Sequence, residues 1–166
     1  MNEKIALEIE GLGIILYSDF AVKDIENDED YFTENYNTPE DVVKHIESGT
    51  IVGFCTGSPG KYILNFKEGY PSEQESRISD LKLRLGIEVR DNRICIKDLY
   101  DLLEWSKDEE KFIKIENGFY HITLCGNIPV SGIIGDDQWI NIYLKRLDSM
   151  PKLRYTGVPM FCKLDN

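Results

Sequence analysis

Two hydrophobic periods run along the chain, and the period of two dominates. It is clearest at 79–90, where Leu81, Leu83, Leu85, Ile87 and Val89 alternate with Lys82, Arg84, Gly86, Glu88 and Arg90. A helix would scatter those five apolar side chains around its circumference, whereas a strand puts them on one face. The same alternation marks residues 4–10, with Ile5, Leu7 and Ile9, and residues 138–146, with Ile140, Ile142 and Leu144. Shorter apolar runs at 14–22, 51–55, 61–67, 94–97, 112–116 and 119–125 complete the set of expected strands. Gly57-Ser58-Pro59-Gly60 and Asn117-Gly118 are dense turn signals, and each predicts a hairpin between the runs beside it. Gly11-Leu12-Gly13 and Asp91-Asn92-Arg93 mark further turns.

The helical period is confident in one place, Pro39–Ser48. Thr38 suits the N-cap, Pro39 the first helical position, and Glu40 and Asp41 the positive helix start. Val42, Val43 and Ile46 share a face, and Gly49 supplies the stop. Asp98 with Leu99, Leu102 and Leu103 fits a second short helix at 98–105. Residues 72–76 read as polar linker, and the tail from 148 to 166, with Pro151 and Pro159, reads as wrapping the surface. Strands joined by turns rather than by helices predict an antiparallel β-sandwich, C2-like or jelly-roll-like, mainly β with one short α-helix. A length of 166 residues fits one domain spanning 1–166. Such a chain buries roughly 70% of its unfolded surface, enough for a core without disulfides or metals.

Charge changes this picture at one stretch. The chain has 30 Asp and Glu against 19 Lys and Arg, a formal net charge of -11. Residues 24–41 hold eight acids and no base: Asp24, Glu26, Asp28, Glu29, Asp30, Glu34, Glu40 and Asp41. Tyr31, Phe32 and Tyr36 are interleaved with them, and 24–37 lacks any periodicity, so it reads as a long loop. One reading is a solvated loop whose aromatics tuck into the domain. The sharper one is a docking surface of Asp24, Glu26, Asp28, Glu29, Asp30, Tyr31, Phe32, Glu34 and Tyr36, with acids steering a basic partner and aromatics as anchors. Such acidity argues against nucleic acid or an anionic membrane as the direct partner.

Asp24, Glu26, Asp28 and Asp30 also alternate like the first oxygen ligands of an EF-hand, but Glu29 stands where that loop needs glycine. No metal and no cofactor is expected. Catalytic constellations are thin. His45 reads as a surface or boundary residue on the helix, and His121 lies in a strand four residues from Cys125, about 13 Å away by rise alone. No P-loop, G-x-S-x-G, H-E-x-x-H or G-x-G-x-x-G is present, so no enzyme is expected and no catalytic residue is assigned. Trp139, Asn141 and Tyr143 fall on the face opposite Ile140, Ile142 and Leu144, covered by the tail or a helix or else exposed as an aromatic patch. Cys55, Cys95, Cys125 and Cys162 form no C-x-x-C pair and are expected as free thiols. The N-terminus lacks a basic stretch followed by an apolar run, so the expected location is the cytoplasm.

Four stretches carry a family resemblance: GIILYSDFAVKD at 13–24, GKYILNF at 60–66, IEVRDNRICIKDLYD at 87–101 and ENGFYHITLC at 116–125. In their order the chain resembles the competence protein J family, the DNA-entry nuclease inhibitors, over about residues 13–145. SGIIGDD at 131–137 and the tail have no counterpart. The resemblance implies a β-sandwich that inhibits a nuclease by binding it; no motif carries individual interface residues across. The expected function is therefore an acidic protein-binding module, an inhibitor or immunity protein that blocks a basic partner such as a nuclease. The alternative is a non-catalytic small-ligand or calcium-dependent binding module of β-sandwich type.

Overall fold

The computed structural model describes residues 1–108 and 111–163. The described strands are β1 (Asn2–Ile9), β2 (Gly13–Tyr17), β3 (Val52–Cys55), β4 (Gly60–Glu68), β5 (Leu81–Val89), β6 (Arg93–Asp98), β7 (Phe112–Lys114), β8 (Gly118–Gly126) and β9 (Gln138–Leu147). The α-helices are α1 (Tyr31–Asn35), α2 (Pro39–Ser48) and α3 (Glu73–Ile78), and short 3-10 turns span Asp19–Val22 and Leu99–Leu103. None of the described helices is long and apolar enough to cross a membrane. The strands make a five-stranded sheet, in the order β1-β4-β9-β8-β5, and a four-stranded sheet, in the order β3-β2-β6-β7.

The fold class is the expected one, mainly β with two sheets and few helices. Its connections differ. The turns at 57–60 and 117–118 do not close hairpins: β3 and β7 belong to the four-stranded sheet, β4 and β8 to the other. The links β1–β2 and β5–β6 likewise carry the chain from sheet to sheet. A turn signal says that the chain reverses; it does not say whether the second arm pairs with the first or faces it across the core. Asn117 accordingly has no type I′ role. Its side-chain carbonyl accepts the Asn92 N–H at 2.8 Å and ties two corners together. Ser18 and Asp91 fasten another corner, since the Asp91 carboxylate accepts the Phe20 N–H at 2.8 Å and the Ser18 hydroxyl accepts the Arg90 N–H at 3.1 Å.

The sheet is also not wholly antiparallel. β4 runs parallel to β9, Tyr62 opposite Gln138 through Glu68 opposite Leu144, while the other pairings are antiparallel. β9 returns beside β8, which leaves its far edge for β4, and β4 already points the same way. Inward rows from the five-stranded sheet form the core: Tyr62, Leu64 and Phe66; Ile140, Ile142 and Leu144; Ile122 and Leu124; Leu85, Ile87 and Val89. Every residue of β2 is buried, and the Tyr17 ring lies 5.4 Å from that of Trp105.

α2 has the expected caps. The Thr38 hydroxyl accepts the Asp41 N–H, and Gly49 takes φ 69, the left-handed conformation that ends the helix. Two further helices form where loop and linker were expected. α1 is started by Asp30 and α3 by Ser72, each accepting the N–H three residues on. All four cysteines are free, with Cys95 and Cys125 buried and Cys55 and Cys162 half-buried. The tail lies along β3: the Cys55 N–H donates to the Pro159 carbonyl, and the Phe161 N–H to the Cys55 carbonyl, both at 2.8 Å. Residues 164–166 of the expected tail lie outside the described residues.

Phe161 is 1% exposed and meets Phe54 edge to face at 6.1 Å, so it anchors the end of the tail in the core. Phe161→Ala is expected to cost about 3–5 kcal/mol in urea denaturation. Val158→Ala, at an exposed position of the same tail, is expected to stay within about 0.5 kcal/mol.

Candidate functional site

The acidic stretch is built onto the sandwich by its few apolar residues. Ile25 is buried, and its N–H donates to the Val22 carbonyl, so Asp24 and Glu26 flank an anchor and point outward. Trp105, 1% exposed, provides the second attachment. The Asp28 N–H donates to the Trp105 carbonyl at 2.7 Å, and the Trp105 N–H donates to the Glu29 carbonyl at 2.9 Å. Asp28 sits at φ 66 to make that turn. The Asn27 side-chain carbonyl accepts the Lys107 N–H at 2.8 Å, and the Lys107 ammonium reaches the Glu26 carboxylate at 3.2 Å.

The carboxylates are thus held by a fixed backbone. Asp24, Glu26, Asp28, Asp30 and Glu34 are exposed, and Glu29 is half-buried. Asp30 accepts both the N–H and the hydroxyl of Thr33, at 3.0 and 2.6 Å, and those bonds hold its carboxyl below the usual carboxylate range. The Glu29 carboxylate accepts the Glu26 N–H at 3.2 Å. Of the four acids that alternate as in a calcium loop, Asp30 caps a helix and Glu26 faces Lys107. Among the described residues, no group of three or more His, Cys, Asp and Glu side chains could hold a metal ion.

The three aromatics do not share the acids' exposure. Tyr36 is 3% exposed, its hydroxyl donates to the Ile51 carbonyl at 3.3 Å, and burial pushes its pKa well up. It belongs to the core, which corrects its assignment as a surface anchor. Gly53 makes room for it, because a Cβ there would stand 2.6 Å from the Tyr36 hydroxyl oxygen. Tyr31 and Phe32 are half-buried and pack against the core. An aromatic in so polar a segment is drawn to the core because burying it offsets the cost of ordering the chain.

His45 orders the other side of the stretch. Its Nδ1 lies 2.7 Å from the Asp41 carbonyl, which can only accept, so Nδ1 carries the proton and Nε2 accepts the Tyr31 hydroxyl at 2.8 Å. Between α1 and α2 lies a groove of 280 Å³ lined by Tyr31, Glu34, Asp41, Lys44 and His45. Four residues on the neighbouring segment were not singled out from the sequence as site residues. α1 packs against the Leu99–Leu103 turn, which places Asp101 and Glu104, with exposed Tyr100 and Leu103, beside the acidic stretch. Burial, then Asp98, raises the Asp101 carboxyl. The density of acids in DLYDLLEWSKDEE at 98–110 was the available signal.

The remaining chemistry-bearing candidates are structural or lie elsewhere. Cys125 is buried in β8, which pushes its thiol up. His121 is buried in the same strand, with Nδ1 3.0 Å from the Tyr70 hydroxyl; burial, then Arg84, lowers its pKa. Trp139 is half-exposed under the Lys4 ammonium, whereas Asn141 and Tyr143 are covered by α3, not by the tail.

No family model matches this chain, and no curated protein matches it. Its fold is similar to that of a solved structure titled "Crocagin biosynthetic gene J", with a TM-score of 0.56 and 11% identity over 86% of this chain and 96% of that one. A solved structure of ComJ from Bacillus subtilis, described as an inhibitor of the DNA degrading activity of NucA, aligns with a TM-score of 0.48 and 14% identity over 87% of this chain and 96% of that one. At these identities the likeness is one of fold.

Two outcomes follow from the geometry of Asp28 and His121. Asp28→Asn and Asp28→Gly are expected to keep stability within about 0.5 kcal/mol, since both residues accept positive φ. Asp28→Val is expected to lose roughly 1–2 kcal/mol in the same denaturation series. For His121 the folded pKa lies below the unfolded value of about 6.5. Above that pH both states are neutral. Below it the unfolded chain takes up a proton that the folded chain refuses, so stability falls as pH drops from about 6.5 toward the folded pKa. His121→Asn is expected to flatten this part of the stability–pH curve.

Proposed function

We propose that this chain is an acidic, non-catalytic binding module that inhibits a basic protein partner of the nuclease class, as an inhibitor or immunity protein. The observation that carries the reading is the fixed, exposed array of Asp24, Glu26, Asp28, Asp30 and Glu34, joined by half-buried Glu29. Carboxylates on a backbone pinned to Trp105 need little ordering when a partner arrives, which lowers the cost of association. A nuclease groove is cationic because it binds phosphates, and carboxylates at similar spacing can occupy it. Tyr31 and Phe32 supply contact area at the base of the array, and Tyr100 and Leu103 supply exposed apolar contact beside it. The groove between α1 and α2, with Glu34 and Asp41 on its walls, suits a Lys or Arg side chain. Inhibition of a DNA-degrading enzyme is the role printed for ComJ and the one that the sequence resemblance implies; the acidic surface is the reason to test it here.

The test starts with the immobilised chain, used to retrieve its partner from the native cell at low salt. A basic nuclease released by salt is expected, with its DNA cleavage blocked by stoichiometric chain. In the triple variant Asp28→Asn, Glu29→Gln and Asp30→Asn, the association rate at low ionic strength is expected to fall about tenfold or more, with little change in dissociation. An unchanged association rate would remove this surface from the proposal.

A further inference from the structure

The outer face of the five-stranded sheet is polar where α3 covers it, and this is unusual for a face buried under a helix. Cross-strand register places two rows there: Asn65, Asn141 and Cys125, then Lys67, Tyr143, Thr123 and Arg84, with His121 two positions along from Thr123. Asn65, Thr123, His121 and Tyr143 are 7%, 6%, 8% and 7% exposed. Thr123 Oγ1 and His121 Nε2, both able to donate, have no hydrogen-bond partner among the described residues. Buried polar atoms are normally paired, and unpaired ones gathered on one patch point to a ligand. Cations ring the patch. The Lys67 ammonium lies 5.6 Å from the Tyr143 ring centre, Lys82 donates to the Ser76 carbonyl at 2.8 Å, and Arg84 stands opposite Thr123 in the β5–β8 register.

One carboxylate already occupies the patch. Glu75 of α3 accepts the Asn141 amide N–H at 2.7 Å through Oε1 and the Tyr143 hydroxyl through Oε2. Asn65 in turn donates to the Asn141 side-chain carbonyl at 3.1 Å, so a relay of amides ends on that carboxylate. The segment carrying it is weakly attached. No residue of α3 is buried, and Ile78 is 64% exposed. A helix of six residues has little stability of its own. Its attachments are polar: Glu75 on the floor, Tyr70 on His121, and the Lys82 bond to Ser76. Gly69, at φ 86, takes the left-handed conformation where the segment leaves β4, its N–H donating to the Leu144 carbonyl at 3.0 Å. A groove of 330 Å³ beside α3, lined by Lys67, Glu75, Ile78 and Asn141, already opens toward the floor.

We propose that this floor is a binding site for a carboxylate ligand, with the Glu75 carboxylate as its resident occupant and residues 69–79 as the lid. An incoming carboxylate takes over the bonds from Asn141 and Tyr143, gains the Thr123 hydroxyl, and meets Lys67 and Arg84. Tyr143 is the donor to it, because burial, then Glu75, raises its pKa and keeps it protonated. The resident carboxylate competes, so the apparent affinity is the intrinsic affinity reduced by the fraction of time the lid is open.

The experiment is a side-chain NMR titration of the full chain, reading the Asn65 and Asn141 amides and the His121 ring. The probes are sodium succinate, and a short neutral peptide with either a free or an amidated C-terminus, each against sodium chloride at equal ionic strength. Saturable shifts with succinate support the site for a free acid; shifts with the free-ended peptide but not its amide support it for a chain terminus. Glu75→Gln is expected to bind the successful probe about tenfold more tightly. Thr123→Val, nearly isosteric, and Arg84→Gln are each expected to bind it about tenfold more weakly. Shifts no different from chloride in both wild type and Glu75→Gln overturn the proposal. So does a Glu75→Gln variant that binds no more tightly while its 73–79 amides exchange as slowly as in the wild type.

Discussion

The constraint on which the rest of the molecule depends is the burial of two apolar sheet faces against each other. The five-stranded sheet contributes rows such as Tyr62, Leu64 and Phe66 and Ile140, Ile142 and Leu144; the four-stranded sheet contributes β2 and the buried residues of β6. Strands such as β5 and β9 have one apolar face, and a strand's neighbour in sequence can satisfy it from across the core as well as from beside it. Here the chain repeatedly takes the first route. It crosses at 10–12, 57–59, 90–92 and 115–117, and the corners are held by side chains such as Asp98, whose carboxylate accepts the Glu10 N–H at 2.8 Å. Long-range pairing is the consequence, with β1 on β4 and β2 on both β3 and β6.

Two polar surfaces of opposite character lie outside that core. At one end, carboxylates cluster on the 24–41 stretch and the neighbouring 98–108 segment, held together through Trp105. On the outer face of the five-stranded sheet, Lys4, Lys67, Lys82 and Arg84 surround a buried floor of amides, a hydroxyl and an imidazole. The net charge of -11 conceals this division. The attachment differs as well. Residues 24–41 are fastened by buried Ile25 and Tyr36, whereas no residue of α3 is buried. Burial of apolar area resists local opening far better than exposed hydrogen bonds do, so the α3 surface is expected to open more readily than the acidic one.

What the sequence by itself determined was local. Period-two alternation at 79–90 and 138–146 marked β5 and β9, because side-chain direction in a strand depends only on the strand. Thr38, Pro39 and Gly49 bounded α2 as observed, because a cap is a contact between residues three or four apart. The acidic stretch was legible from composition. Its attachment was not, since a Tyr among acids looks the same whether it faces a partner or the core; Tyr36 went inward because Gly53 left room for it.

Only the tertiary structure decided which strands pair, that β4 and β9 run parallel, and that Trp105 holds Asp28 and Glu29. It also placed Glu75 over Tyr143 and Asn141, covering Thr123 and His121 between distant strands. Each of these joins residues far apart in sequence. Their closeness is selected by burial of one shared core, which no local spacing records.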